Sequence, residues 1–254
     1  MSGDPTRRAR AARRFRPGLV PTLAAAALLP VFLALGAWQL QRADEKRLLQ
    51  GEYDARAQGP TVRIEPRMQR AEDLRFYRVT VRGRYETPHQ LFIDNRVHQT
   101  RAGFHVVTPL KVEDSEVRVL VNRGWVPLGE ERARLPPAEA PTGTQEITGV
   151  ATVPADQPFR LGPEAPLRDN GQTVWQHMDL ERFAGSVRYP VQPVVILLDP
   201  RSPAGGFTRD WTRLDAGIAV HQGYAFQWFM LAVTLLTLYL VFGFRRRAVS
   251  GTQP

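Results

Sequence analysis

Two long apolar runs, one towards each end of the chain, are the strongest pattern in the sequence. Residues 17–41, between Arg16 and Arg42, carry no charged side chain. Residues 216–244 include His221 as the one side chain that ionises near neutral pH. Each run exceeds the ~20 residues that a helix needs to cross a hydrocarbon core. The pattern predicts one transmembrane helix over residues 17–41 and a second over residues 217–244.

The first span is predicted to leave the membrane as one continuous helix. Trp38, Arg42 and Lys46 follow one another at i, i+4 and i+8, which is helical spacing. Pro30 is predicted to bend this helix, a break that membrane helices tolerate where neighbours satisfy the freed carbonyl. The run is longer than the ~7–15 apolar residues of a signal peptide. We therefore expect it to be retained as an anchor.

Between the spans the hydrophobic pattern changes to alternation. It predicts strands within residues 76–85, 90–94, 103–107, 117–122, 146–153 and 193–198. Turn-forming stretches separate the strands, among them residues 95–103 and the long loop 127–144. A short helix is predicted from an N-cap at Asp179 to Ala184, ended by Gly185. The predicted fold class is a membrane α+β protein, in which two transmembrane helices flank a mostly antiparallel β-rich domain over residues 42–214.

The net charge of +9 lies at the membrane flanks. Six arginines fall within residues 1–16, Arg42 follows the first span and Arg245–Arg247 follow the second, whereas residues 43–244 hold 24 basic and 24 acidic side chains. A neutral central domain argues against a nucleic-acid partner. Basic flanking segments stay in the cytoplasm. We expect cytoplasmic tails over residues 1–16 and 245–254, with the central domain on the periplasmic side of a bacterial plasma membrane.

The composition narrows the possible chemistry further. The chain has no cysteine, so a disulfide, a thiolate metal site and a c-type haem attachment are excluded within it. It lacks a nucleophile elbow, a P-loop, a dinucleotide-binding glycine motif and a His-x-x-x-His zinc pair. The histidines at 89, 98, 105 and 177 are scattered, and we interpret them as structural.

His221 is the most informative residue of the second span. An ionisable side chain at membrane depth is costly and tends to be functional. Tyr224 and Trp228 follow it at i+3 and i+7 and so share its helix face. Interfacial anchoring explains these two aromatic residues equally well, and it also explains Trp38 with a snorkelling Arg42 at the exit of the first span. Both interpretations remain open on the residues alone.

Four segments form a distinctive set when they are read together: G-A-W-Q-L-Q-R-A-D-E-K (36–46), D-N-R (94–96), V-N-R-G-W-V-P (121–127) and H-Q-G-Y-A-F-Q-W-F (221–229). This set resembles the Surfeit-locus-one family of membrane-anchored factors for cytochrome c oxidase biogenesis. The resemblance covers about residues 36–240, and the topology of that family is the one expected above from charge and hydropathy.

The resemblance implies a non-enzymatic, chaperone-like protein that binds heme a and assists its insertion into the catalytic subunit of the oxidase. It implies that His221 is the axial ligand of the heme iron. We add that Trp38, Tyr224 and Trp228 could flank the macrocycle and that Arg42 could pair with a propionate. Expected partners are oxidase subunit I, other oxidase assembly factors, heme a synthase and membrane lipid.

Two other hypotheses compete with heme delivery. One is a heme-free scaffold that docks on oxidase subunits through the β domain. The other is an enzyme of heme modification, which is disfavoured because bis-histidine heme enzymes use several intramembrane histidines on a multi-helix bundle. The two spans of this chain supply one.

Overall fold

The computed structural model describes residues 14–15, 17–129, 135–154, 173–211 and 217–245. In chain order, the elements are β1 (Arg14–Phe15), α1 (Leu19–Ala57), β2 (Val62–Arg63), α2 (Ala71–Leu74), β3 (Arg78–Tyr85), β4 (Leu91–His98), β5 (Arg101–Val112), β6 (Arg118–Pro127), β7 (Gln145–Thr152), β8 (Thr173–Trp175), α3 (Leu180–Ser186), β9 (Val191–Leu198), α4 (Ile218–Gly243) and β10 (Phe244–Arg245).

Both predicted spans are helices. α1 has 39 residues and α4 has 26, and each is long and apolar enough to cross a membrane by length and composition. α1 is continuous through Pro30 and on past Arg42 to Ala57, which confirms the prediction that the first span continues as a single helix. The bend at Pro30 stays a prediction.

The chain divides into two compact units. Residues 1–49 and 215–254 form one, which contains the apolar parts of both long helices, and residues 50–214 form the other. In the first unit, β1 and β10 pair antiparallel where α1 begins and α4 ends. The second unit is the β-rich domain, so the predicted fold class of two apolar helices flanking a β domain is confirmed. The membrane boundaries and the tails 1–16 and 245–254 stay predictions, because they concern the bilayer and residues largely outside the described ranges.

The β domain is built on a ring of five strands. β3 pairs with β7, β7 with β9, β9 with β6, β6 with β5, and β5 returns to β3. The 12-residue β5 makes this closure possible, since Arg101–Val107 pair with β4 and Leu110–Val112 pair with β3 along the same edge. The ring encloses a cluster of buried aliphatic side chains, including Val79, Val121, Ile147 and Ile196.

The sheet departs from the predicted pattern in its parallel pairs. Most neighbours are antiparallel, as predicted, but β2–β3, β4–β8 and β6–β9 are parallel. β8 was not predicted, because it follows an irregular stretch that offers no alternation, and residues 155–172 before it lie outside the described ranges. The short helix α3 is confirmed: the side chain of Asp179 caps it by accepting a hydrogen bond from the backbone N of Arg182 at 2.9 Å.

Several predicted boundaries are wrong, including the end of the strand predicted within residues 103–107, which continues to Val112. The turn predicted over residues 95–103 is shorter, because β4 runs to His98 and β5 begins at Arg101; Gln99 and Thr100 make the turn with positive φ values of 45° and 69°. The strand predicted to end at Asn122 continues to Pro127. Its N-R-G-W motif therefore lies inside β6, where Gly124 adopts a φ of 121°.

Candidate functional site

α1 and α4 contact each other along their length in antiparallel order. Near the start of α1, the hydroxyl groups of Thr22 and Tyr239 lie 3.1 Å apart. Further along α1, the rings of Phe32 and Trp228 lie 5.8 Å apart between centroids. A hydroxyl pair and a ring pair are the kinds of contact that join helices in a bilayer, where the hydrophobic effect provides no attraction between them.

Small residues occupy several positions of the two helices around the candidate ligand. A Cβ atom at Gly36 would lie 2.7 Å from Cε1 of Phe229, so only glycine fits there without a shift of that ring. Ala43 on α1 and Ala225 on α4 are also buried. Gly36 and Ala43 flank position 39 by about one turn on the same face of α1, and Ala225 lies one turn after His221. Small side chains therefore lie beside Gln39 and His221 on helix surfaces that also carry the rings of Phe32, Trp228 and Phe229.

His221 occupies the first turn of α4. Gly217 caps that helix with a φ of 97°, and its carbonyl accepts a hydrogen bond from the backbone N of His221 at 3.1 Å. The Nδ1 atom of His221 lies 2.7 Å from Oε1 of Gln39 on α1. Because an amide oxygen only accepts hydrogen bonds, Nδ1 is the donor and carries the ring proton. The other ring nitrogen, Nε2, then keeps a lone pair that is available to a metal.

Gln39 was not predicted as a site residue from the sequence. The signal that could have indicated it is its spacing, because it lies three residues after Gly36 and so on the same helix face. A polar amide within an apolar run also needs a partner, since an unsatisfied polar group in hydrocarbon is costly. That the partner would be His221 could not be read from the sequence, because the two residues are 182 positions apart.

Trp38 and Arg42 form a separate, exposed group on α1. The guanidinium carbon of Arg42 lies 6.0 Å from the ring centroid of Trp38, and its Nη1 bonds to Oε2 of Glu45 at 2.8 Å. Trp38 is 47 % exposed. An exposed ion pair of this kind contributes about 0–1 kcal/mol, so Arg42 can exchange Glu45 for another anion at little cost.

Tyr224 and Trp228 line one groove on the surface of α4. The groove has a volume of about 440 Å³, and its lining also includes Gln227, Leu231 and Thr234. Tyr224 is half exposed, whereas Trp228 reaches both the groove and Phe32 of α1. The structure thus brings Tyr224 and Trp228 together, and it pairs His221 with Gln39 and Trp38 with Arg42.

Outside the spans, the histidines at 89, 98 and 105 make structural contacts. Nδ1 of His89 lies 2.8 Å from the hydroxyl of Tyr189, the ring of His98 packs on Trp125 and the ring of His105 packs on Trp211. Burial, reinforced by the positive charge of Arg96, lowers the pKa of His105 to about 4, so this ring is neutral at pH 7. Within the described ranges, no group of three or more His, Asp or Glu side chains is placed to hold a metal ion.

The two strand motifs of the resemblance lie on β4 and β6, which flank β5 in the sheet of the β domain. The indole Nε1 of Trp125 in β6 donates to the backbone oxygen of Arg96 in β4 at 2.9 Å. Arg123, also in β6, is 2 % exposed and donates to backbone carbonyls of two loops, including the oxygen of Gly205 at 2.7 Å. These contacts give both motifs a role in holding the domain together.

Comparison with known proteins places the sequence beside one family. A model described as the SURF1 family matches residues 26–233. "Surfeit locus protein 1" of Xenopus tropicalis is 28 % identical over 234 residues, covering 84 % of this chain and 72 % of the relative. The "SURF1-like protein" of Rickettsia felis is 24 % identical over 234 residues, covering 87 % of this chain and 94 % of the relative. "Surfeit locus protein 1" of Homo sapiens is 27 % identical over 237 residues, covering 85 % and 74 %.

Proposed function

The chain belongs to the SURF1 family, and on this premise we propose that it binds heme a at the membrane boundary through His221 and assists its insertion into the catalytic subunit of cytochrome c oxidase. Family membership supports the broader role in oxidase assembly. The hydrogen bond between Nδ1 of His221 and Oε1 of Gln39 is the observation that carries the proposal for heme.

The donor set fits an axial ligand of heme. Haem iron is commonly held by a neutral imidazole, and a metal-bound histidine almost always donates its other ring N–H to an oxygen acceptor. His221 has such an acceptor in Gln39 at 2.7 Å. When bound, heme a would supply an iron centre that takes up the lone pair of Nε2. Among the described residues, the structure gives this Nε2 no competing hydrogen bond.

The roles proposed for the other site residues follow from the exposure and the chemistry of their side chains. Tyr224 and Trp228 line a groove of about 440 Å³ and could cover one face of a macrocycle. Trp38 could contribute a second aromatic surface. Arg42 is held by an exposed ion pair to Glu45, so its guanidinium can turn to a propionate, which it would bind in bidentate fashion. The proposed protein partners are oxidase subunit I, other oxidase assembly factors and heme a synthase.

The proposed location is a bacterial plasma membrane with both termini in the cytoplasm. The basis is the placement of arginine outside the two apolar runs. We expect alkaline phosphatase to be active when it is fused after Pro141, in the β domain, and inactive when it is fused after Arg247. Activity in the reverse pattern would refute the proposed orientation.

The absorption spectrum of the chain purified from cells that make heme a tests the main proposal. Heme delivery predicts a stoichiometric heme a spectrum that survives size-exclusion chromatography in detergent. A heme-free scaffold predicts a colourless protein that still co-purifies with oxidase subunits. A colourless preparation from cells shown to contain heme a would overturn the proposal and favour the scaffold.

A further inference from the structure

Gln39 is a polar side chain within an apolar helix, and its carbonyl oxygen faces His221. The distance from Oε1 to Nδ1 of His221 is 2.7 Å, which is a normal length for a good hydrogen bond. Both side chains are partly buried. A glutamine within a membrane span is stabilised when it hydrogen-bonds across to a neighbouring helix. The contact therefore gives the carbonyl oxygen of Gln39 a hydrogen-bond donor and constrains the orientation of the His221 ring.

We propose that Gln39 is a positioning residue that fixes the tautomer and the ring orientation of His221. The link to heme a rests on the proposed function, whereas the effect on the imidazole rests on the contact itself. An amide oxygen accepts and never donates, so it selects the form of histidine with the proton on Nδ1. That form leaves the lone pair on Nε2, the nitrogen farther from the helix backbone.

Without Gln39 the imidazole loses two constraints. A free neutral histidine favours the opposite tautomer, in which Nε2 carries the proton and cannot bind a metal. The ring is also free to rotate about its broad χ2 torsion, which exchanges the positions of Nδ1 and Cδ2. Gln39 removes both alternatives before any ligand arrives. The site is therefore preorganised by a residue that does not touch the ligand.

The helix packing explains why Gln39 reaches His221. Gly36 lies against Phe229, and Ala43 and Ala225 are buried one turn from Gln39 and His221 respectively. Small side chains at these positions leave room for the two polar side chains to meet. A glutamine side chain spans the remaining distance, whereas a leucine of similar size offers no acceptor. The neutral amide also avoids the cost of placing a carboxylate at this depth.

The first test reads the tautomer in the full-length protein without heme. The chain is labelled with ¹⁵N-histidine, and the His221 signal is identified among the five histidines by its absence in His221→Ala. We expect Nδ1 of His221 to give a protonated, pyrrole-type signal and Nε2 a pyridine-type signal. In Gln39→Leu we expect the two types to exchange or average. Gln39→Ala serves as a second variant where leucine disturbs the packing.

The matched control is Gln41→Leu, which removes the same group from an exposed position on the same helix. Gln41 bonds to Glu45 at 3.4 Å. We expect the Gln41→Leu variant to leave the His221 signals unchanged. An unchanged tautomer of His221 in both Gln39→Leu and Gln39→Ala would overturn the inference, whatever those variants do to heme.

The second test measures retention of heme a. Removing a hydrogen-bond partner of a metal ligand typically costs about 10–100-fold in affinity, and we expect a loss of that size in Gln39→Leu and none in Gln41→Leu. A shifted tautomer with full heme retention would overturn the role of Gln39 in ligand positioning. A wild-type protein that binds no heme a would instead overturn the proposed function, while the tautomer measurement would still decide what Gln39 does to the imidazole.

Discussion

Replacing His221 with alanine should yield a protein that inserts into the membrane normally and carries no heme a, or carries heme with an altered spectrum. The iron–imidazole bond has no evident substitute on α4. Gln222 and Gln227 are poor iron ligands, and the next histidine along the chain, His177, belongs to the β domain. The long apolar remainder of α4 sets membrane insertion, and the substitution leaves it intact.

Gln222→Ala is the matched control for this experiment. Gln222 is the neighbouring residue on α4 and is exposed. We expect the Gln222→Ala variant to keep the wild-type spectrum and the wild-type amount of bound heme. His221→Met should keep some heme and raise its reduction potential, as thioether ligation does in cytochromes. A full complement of heme with an unaltered spectrum in His221→Ala would refute the ligand assignment and favour the scaffold hypothesis.

Hydropathy and charge predicted the helices and strands whose signals lie within one continuous segment of the chain. The two long helices follow from apolar runs, and the strands follow from alternation over a few residues. The short helix α3 could be placed closely because its cap, Asp179, is a local signal. In each case the signal lies within or next to the element that it predicts.

What the sequence could not provide are the contacts between distant residues. The parallel pairing of β6 with β9 joins segments separated by about 70 positions. Gln39 and His221 are 182 positions apart, so the partner of the candidate ligand emerges only when α1 and α4 are packed. The pairing of His221 with Tyr224 and Trp228 was predicted from helical spacing alone. In the structure, the ring of His221 contacts the side chain of Gln39. Tyr224 and Trp228 line a groove on α4, and the ligand of that groove stays a prediction.

Arg123 is an instance of a motif residue whose role depends on such distant contacts. The resemblance marked the motif V-N-R-G-W-V-P without assigning it any chemistry. In the structure, the guanidinium group of Arg123 reaches two loops that come later in the chain, at Ala138, 15 residues on, and at Gly205, 82 residues on. We infer that this residue stabilises the β domain.

Arg123→Met should destabilise the β domain strongly. Arg123 donates to the backbone oxygens of Gly205, Ala138 and Glu139 at 2.7, 3.2 and 2.6 Å. Its guanidinium also packs over the rings of Tyr85 and Phe207, with its carbon 5.2 and 4.9 Å from the ring centroids. Burial lowers the pKa of Arg123 because it removes water from the cation, and the neighbouring Tyr85 partly offsets this effect.

The size of the effect follows from the groups left behind. The bond to Ala138 is buried, and a buried carbonyl that loses its donor costs roughly 1–3 kcal/mol. The bonds to Gly205 and Glu139 are partly buried, so water can restore part of what they lose. With the lost packing on Tyr85 and Phe207, we expect a total of a few kcal/mol, a large part of the ~5–15 kcal/mol by which a domain is stable. For a domain of this size we expect the apparent Tm to fall on the order of 10 °C. The loss of the far-ultraviolet β signal on heating the full chain in detergent would measure it.

Arg84→Met is the control, because Arg84 is an exposed arginine on β3 that bonds to Thr144 at 3.2 Å. Surface substitutions of this kind change stability by about ±0.5 kcal/mol. Arg123→Lys should lie between the two variants, since a lysine keeps the charge and the aromatic contacts but cannot direct a planar fork of donors at carbonyls from two loops. If Arg123→Met and Arg84→Met melt at the same temperature, the buried arginine does not stabilise the domain, and the motif that contains it must serve another purpose.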